Sequence, residues 1–305
     1  MLKKTIRRLG ALAMVLAMAV SVFAVNASAT NNGLAKEYTK AGSATVTPAE
    51  ELSFHVDDWS AADYSNTNYA NKNAIPHNVS VTKGAGASNF TIATPTLEGI
   101  GTFTYKMVED DAGTAGVTYG ATFNLVIQRT WADKVIKEEV YLNDGTNKID
   151  TISNTFSAGT LNVSKTVTGA MGDKTKYFDF TITLTAPEGK TVRNAITYGD
   201  QTIEAGWSGE KEVSISLKDG ETATFNNIPY GVKYTVVETA VDGYETTKTG
   251  DNGTIDSATA TAAFTNKKDA TTPTGVIMTI APYALMVVLA GAFAVVFLTR
   301  RNRAE

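Results

Sequence analysis

The chain has no cysteine. That excludes a stabilising disulfide, a thiol nucleophile and a thiolate-bound metal, so any covalent brace needs other chemistry. Histidine is almost as scarce. His55 and His77 are the only two, and without metal-ligand spacing they support neither a zinc centre nor a histidine-driven hydrolase and read as surface or loop residues. Basic charge is not in excess either. The 27 Lys and Arg against 31 Asp and Glu give a net charge of −4, which removes nucleic acid as an expected partner. Long helical periodicity is missing between the termini. Gly84-Ala85-Gly86 lacks the strand-to-helix context of a nucleotide loop and reads as a turn, and Asp57-Asp58 and Asp110-Asp111 read as solvated acids rather than calcium ligands. No metal and no cofactor is expected.

What the chain does have is period-two alternation rich in Thr, Val, Tyr and Phe, punctuated by Gly and Asn. This predicts an all-β protein built of sandwiches. Strands are expected at 161–167, 178–184, 212–217, 222–226, 234–239 and 260–265, and upstream at 51–56, 90–93, 101–109, 122–129 and 138–142. Ser157-Ala158-Gly159 reads as a junction, and 57–78 shows no alternation and reads as a long loop or insertion.

The two ends carry addresses. Lys3, Lys4, Arg7 and Arg8 precede an apolar run from Leu9 to Val25, and Ala27-Ser28-Ala29 offers small residues to a signal peptidase, so 1–29 reads as a cleaved signal peptide. At the other end come Pro273-Thr274-Gly275, a charge-free run from Val276 to Thr299 and the basic tail 300–305. As a helix that run spans roughly 36 Å, enough for a bilayer core, and the arginines would stop its transfer. The order is that of a sortase substrate, with cleavage between Thr274 and Gly275 and 269–275 as the linker bearing the motif. The alternative is a permanent membrane anchor. Trimming both ends leaves 245 residues (274 minus 29), which suits two domains, 30–157 and 158–268.

Parity along the strands exposes three misplaced polar residues. Lys165 alternates with Leu161, Val163 and Val167; Glu238 shares a face with Tyr234 and Val236; Asn266 shares one with Ala262 and Phe264. The first half repeats them. Lys36 alternates with Leu34 and Tyr38, Glu109 follows Phe103, Tyr105 and Met107, and Asn154 lies between Ile152 and Phe156. Lys to Glu is 73 residues in both halves (109 minus 36, 238 minus 165), although Glu to Asn is 45 in one and 28 in the other. This reads as one domain type used twice.

An unpaired buried charge costs several kcal/mol, so each lysine, glutamate and asparagine is expected to meet. In an apolar pocket the amine is pushed toward its neutral, nucleophilic form and the glutamate toward its protonated form. The amine can then attack the asparagine carboxamide with the glutamic acid shuttling protons, and an amide cross-link results. Closing a loop of roughly 100 residues is worth about 4 to 5 kcal/mol by chain entropy. Such a link would also carry force directly between the first and last strands. The alternative is a buried Lys–Glu ion pair with an incidental asparagine.

At these residues the chain resembles the streptococcal T-antigen type of major pilin. The likeness lies in Phe264-Thr265-Asn266-Lys267-Lys268-Asp269, Pro273-Thr274-Gly275-Val276, Met278-Thr279, Ala281-Pro282-Tyr283, and the stretch Leu161-Asn162-Val163-Ser164-Lys165-Thr166-Val167-Thr168-Gly169. It implies two tandem immunoglobulin-like sandwiches of the collagen-adhesin B type. Each would be closed by a Lys–Asn isopeptide bond, Lys36 to Asn154 and Lys165 to Asn266, with Glu109 and Glu238 as catalysts. It also implies a covalent polymer of identical subunits on the cell wall, in which a pilin sortase passes the Thr274 carbonyl to a lysine of the next subunit. Lys148 is the candidate acceptor, with Lys134, Lys137 and Lys40 as competitors. Other pilins or peptidoglycan would lie at the base, and a host ligand is a further implied partner. The proline directly before Thr274 departs from the usual Leu-Pro signal and calls for a dedicated sortase, and no Tyr-Pro-Lys-Asn acceptor motif is present. A wall-anchored adhesin that never polymerises is the alternative function. A surface enzyme has no substrate-directed constellation in its favour.

Overall fold

A computed structural model of the chain describes residues 35–62, 69–270 and 283–295. In the first half the strands are β1 (Ala35–Gly42), β2 (Leu52–Ala62), β3 (Ser80–Lys83), β4 (Thr91–Ala93), β5 (Gly101–Glu109), β6 (Val117–Thr118), β7 (Thr122–Ala132), β8 (Val135–Asn143) and β9 (Lys148–Ile149). β10 (Thr151–Thr168) follows. Beyond it lie β11 (Phe178–Thr185), β12 (Ile196–Tyr198), β13 (Gln201–Ile203), β14 (Glu210–Leu217) and β15 (Thr222–Pro229). The last four are β16 (Lys233–Glu238), β17 (Glu245–Thr249), β18 (Asn252–Thr254) and β19 (Thr259–Lys267).

Among the described residues these strands form three sheets. A seven-stranded sheet has the order β4-β3-β2-β5-β7-β8-β9, and a four-stranded sheet the order β14-β11-β16-β18. The third runs β13-β12-β15-β10-β19-β17, with β1 and β6 also pairing with β10. Alternation drives the assembly. Phe103, Tyr105 and Met107 of β5 and Phe178, Phe180, Ile182 and Leu184 of β11 all point inward and are buried. One apolar cluster joins the inner face of the seven-stranded sheet to Ile152 of β10. The other joins β11 and β16 to Leu161, Val163, Phe225 and Phe264 of the opposing sheet. This is sandwich packing of sheet on sheet.

β10 belongs to both clusters. Its first part, Thr151–Ala158, runs parallel to β1, and from Thr160 to Thr168 it runs parallel to β19. It passes unbroken through Ser157-Ala158-Gly159, where the sequence suggested a junction, and its neighbours change there instead. The strand β2 also outruns expectation. It continues to Ala62 through an irregularity between Val56 and Asp58, so 57–62 is strand and not loop. A bulge of this kind shifts the side-chain parity, which hides the second half of the strand from any alternation test.

The two halves are stitched by backbone as well as side chains. Thr191 N–H donates to Gly113 O at 2.8 Å and Ala115 N–H to Thr191 O at 2.9 Å. Ala49 N–H reaches Arg193 O at 3.0 Å, Thr45 donates twice to Asn227 Oδ1, and Lys190 pairs with Asp111 at 2.6 Å. Gly42 closes β1 at this seam with φ +69°, and a Cβ there would stand 2.3 Å from Ala158 O. Only glycine meets both demands at no steric cost.

Residues 283–295 are helical. Among the described residues no helix is long and apolar enough to cross a membrane. The rest of the expected span 276–299, the expected signal peptide 1–29 and the expected sorting motif Pro273, Thr274 and Gly275 lie outside the described residues.

Candidate functional site

Each half buries one lysine, one glutamate and one asparagine within hydrogen-bonding distance. In the second half β10 points Lys165 inward, and its side chain is 0% exposed. Its Nζ lies 2.8 Å from both Glu238 Oε1 and Oε2. Asn266, also 0% exposed, donates from Nδ2 to Glu238 Oε1. The amine stands over the rings of Phe178 at 4.3 Å and Phe180 at 5.7 Å, and Phe180 meets Phe264 edge-on. The pocket is therefore apolar apart from the three polar groups.

The first half has the same set. Lys36 Nζ lies 3.4 Å from Glu109 Oε1, with both side chains almost wholly buried. Asn154 Nδ2 donates to that same oxygen at 2.7 Å. The other oxygen, Oε2, accepts the N–H groups of Gly120 at 3.3 Å and Ala121 at 3.2 Å.

Register explains why the sets match. In the parallel pair β1/β10, Lys36 faces Ile152 and Tyr38 faces Asn154. In β10/β19, Lys165 faces Phe264 and Val167 faces Asn266. In both, the asparagine lies across from the residue two beyond the lysine, on the same face of the sheet. β5 and β16, each in the opposing sheet, bring the glutamate down onto the pair.

Burial lowers the pKa of both amines below the ordinary lysine value, opposed by the neighbouring glutamate in each case and, at Lys36, by Glu50 as well. Desolvation dominates, and the neutral amine is favoured relative to a lysine in water. Its sign sets an expectation. If the amine is the nucleophile, the rate of Lys–Asn linkage in newly folded chain rises with pH as the neutral fraction grows, and levels off below the unshifted value of 10.5. A time course of ammonia release at several pH values measures this, and a flat profile through the alkaline range would contradict it.

Lys148 stands apart from these pockets. It lies on β9, the last strand of the seven-stranded sheet, with its side chain 59% exposed, 2.7 Å from Glu139 and 4.1 Å from the centre of the Tyr141 ring. Of the other candidates, Lys137 pairs with Asp133, Lys40 donates to Thr45 O, and Lys134 sits in the β7–β8 turn with φ 66°. His55 pairs with Asp110 and His77 stacks on Trp59, both on exposed ground. Alternation gave no hint of Glu50, which is 0% exposed and bonded to Tyr38 and Tyr119. It lies outside any strand, where parity carries no information.

Comparison with known proteins points one way. A "Pilin" of Streptococcus pyogenes serotype M1 is 29% identical over 247 residues, 70% of this chain and 72% of that protein. The chain is similar to the streptococcal pilins. The fold agrees: the crystal structure of the major pilin from Streptococcus pyogenes covers 81% of this chain and 100% of its own, with a TM-score of 0.50 and 23% identity. The pilus tip adhesin Cpa of Streptococcus pyogenes is 36% identical over 126 residues, 38% of this chain and 18% of the adhesin. Residues 159–268 match a domain of unknown function, DUF7601.

Proposed function

We propose that the chain is a structural subunit of a sortase-assembled covalent pilus on a Gram-positive cell surface, built of two tandem immunoglobulin-like sandwiches, 30–157 and 158–268. The observation that carries the reading is the pair of buried Lys–Glu–Asn sets in identical register, one closing each half. Sequence similarity to a streptococcal pilin supports the same assignment.

In each set the neutral lysine amine attacks Cγ of the asparagine. The Cγ–Nζ bond forms, the Cγ–Nδ2 bond breaks, and the glutamate carries the amine proton to the departing nitrogen, which leaves as ammonia. A carboxyl bonded to both amine and carboxamide is placed for that transfer. Asn266 Nδ2 already lies against Glu238 Oε1, so the nitrogen that departs is the one in contact with the proton carrier. Glu109 and Glu238 are thus the catalytic residues of an intramolecular reaction that each chain performs once, and no turnover on an outside substrate is proposed.

Between chains the pilin sortase cleaves after Thr274 and joins its carbonyl to Lys148 of the next identical subunit. The signal peptide exports the chain, and the apolar run 276–299 retains it at the membrane until transfer. Other pilins or the peptidoglycan receive the base of the polymer. A non-polymerising wall-anchored adhesin is the second reading, favoured by the stretch shared with a pilus tip adhesin.

Intact mass tests the cross-links. The wild-type chain is expected to be lighter than its sequence by two ammonias, with one restored in Glu109→Ala and one in Glu238→Ala. An unmodified mass in correctly folded protein would reduce both sets to buried polar clusters and remove the observation on which the pilin reading rests.

A further inference from the structure

Beside the first triad lies a buried carboxyl that the cross-linking step does not use. Glu50, in the segment between β1 and β2, accepts the Tyr38 hydroxyl on Oε1 and the Tyr119 hydroxyl on Oε2. Tyr119 Oη also accepts the Thr114 N–H at 3.2 Å. Burial, then the bond to Glu50, pushes the pKa of both phenols up, so both stay donors.

Each phenol is attached to one part of the triad. Tyr38 lies on the same face of β1 as Lys36, faces Asn154 across the ladder, and holds its ring 5.1 Å from Lys36 Nζ. Tyr119 directly precedes Gly120 and Ala121, whose N–H groups hold Glu109 Oε2. A single carboxyl that pins both hydroxyls therefore fixes the platform under the lysine relative to the loop that holds the glutamate. The second triad is built differently. Val167 occupies the ladder position of Tyr38, and the Lys165 amine lies against Phe178 and Phe180.

We infer that Glu50, acting through Tyr38 and Tyr119, is a positioning residue for the Lys36–Asn154 cross-link and takes no part in the Lys165–Asn266 one. The inference rests on the cross-linking chemistry proposed above. Glu50 also exerts an opposing effect, since its charge favours the protonated form of Lys36. Tyr119→Phe separates the two, because it removes the hydroxyl while keeping both the ring and the Glu50 carboxyl.

The test is a time course on the full chain made by cell-free synthesis in detergent, quenched at intervals, digested, and assayed by mass spectrometry for the two branched peptides. In Tyr119→Phe and in Glu50→Ala the Lys36–Asn154 peptide is expected to appear more slowly, on the order of tenfold or more for a small misplacement of reacting groups. The Lys165–Asn266 peptide should keep its wild-type rate and acts as the internal control. Wild-type rates for both peptides in Tyr119→Phe would overturn the inference, and so would equal slowing of both, which marks a general folding defect. Should Glu50→Ala fail to fold its first half, Tyr119→Phe alone decides. Wild-type chain that folds but yields neither branched peptide sinks the cross-linking reading itself, and this inference with it.

Discussion

Asn266→Ala is expected to lower the thermal midpoint of the chain by about 10 °C or more, and Glu238→Ala by more still. The asparagine variant loses the cross-link, worth about 4 to 5 kcal/mol for a loop near 100 residues, but it keeps Lys165 paired with Glu238. The glutamate variant loses the link and also strands a lysine amine that is 0% exposed, for which breaking a buried pair costs about 3–5 kcal/mol. Together these approach the whole stability of an ordinary domain. Without a cross-link the order stays the same but the asparagine effect shrinks: Asn266→Ala would forfeit one hydrogen bond and a small volume, about 1–3 kcal/mol, while Glu238→Ala would keep its large ion-pair penalty. Scanning calorimetry on the two variants and wild type, with their masses checked, distinguishes the cases. A mild Asn266→Ala beside a severe Glu238→Ala would mean the set is an ion pair and not a bond.

Lys148→Ala is expected to abolish the high-mass ladders in cell-wall extracts while leaving both internal cross-links and the monomer intact. The lysine has the access that intermolecular attack requires, on the terminal strand of its sheet and mostly exposed. Its ion pair with Glu139 is an exposed one, worth about 0–1 kcal/mol, and is given up readily when an acyl donor arrives. Lys134→Ala, Lys137→Ala and Lys40→Ala should retain the ladders. Persistence of the ladders in Lys148→Ala would move the acceptor to another lysine. Absence of ladders in wild type would leave the adhesin reading in its place.

Much of the sheet structure was legible because the inner strands alternate strictly. β5 and β11 read directly from Phe103, Tyr105 and Met107 and from Phe178, Phe180, Ile182 and Leu184, and the same alternation made Lys36, Glu109, Lys165 and Asn266 conspicuous on apolar faces. Where burial is one-sided or absent the signal fails. All residues of β17 and β18 are exposed, so nothing marks them as strands. The irregularity in β2 hides its second half, and the small residues Ser157-Ala158-Gly159 of β10, which usually mark a turn, lie here in a strand flanked on both sides. Glu50 was invisible for a different reason. Its burial depends on two tyrosines, one 12 residues before it and one 69 after, and no local pattern encodes that meeting.

The unbroken course of β10 has a consequence for how the chain would withstand proteolysis. With both proposed cross-links in place, the polypeptide would become two covalent rings, one closed between Lys36 and Asn154 and the other between Lys165 and Asn266. A single cut inside either ring leaves its ends tied, and the molecule stays in one piece. Between the rings only residues 155–164 remain, and every severing cut in the body of the subunit must fall there. That stretch lies wholly within β10, hydrogen-bonded to β1, β6, β15 and β19, with Phe156, Ala158, Leu161 and Val163 each 0% exposed. A protease needs an extended, accessible segment, and this one is already committed to a sheet. If both proposed cross-links form, the tether between the rings is thus a stretch held in a sheet on both sides.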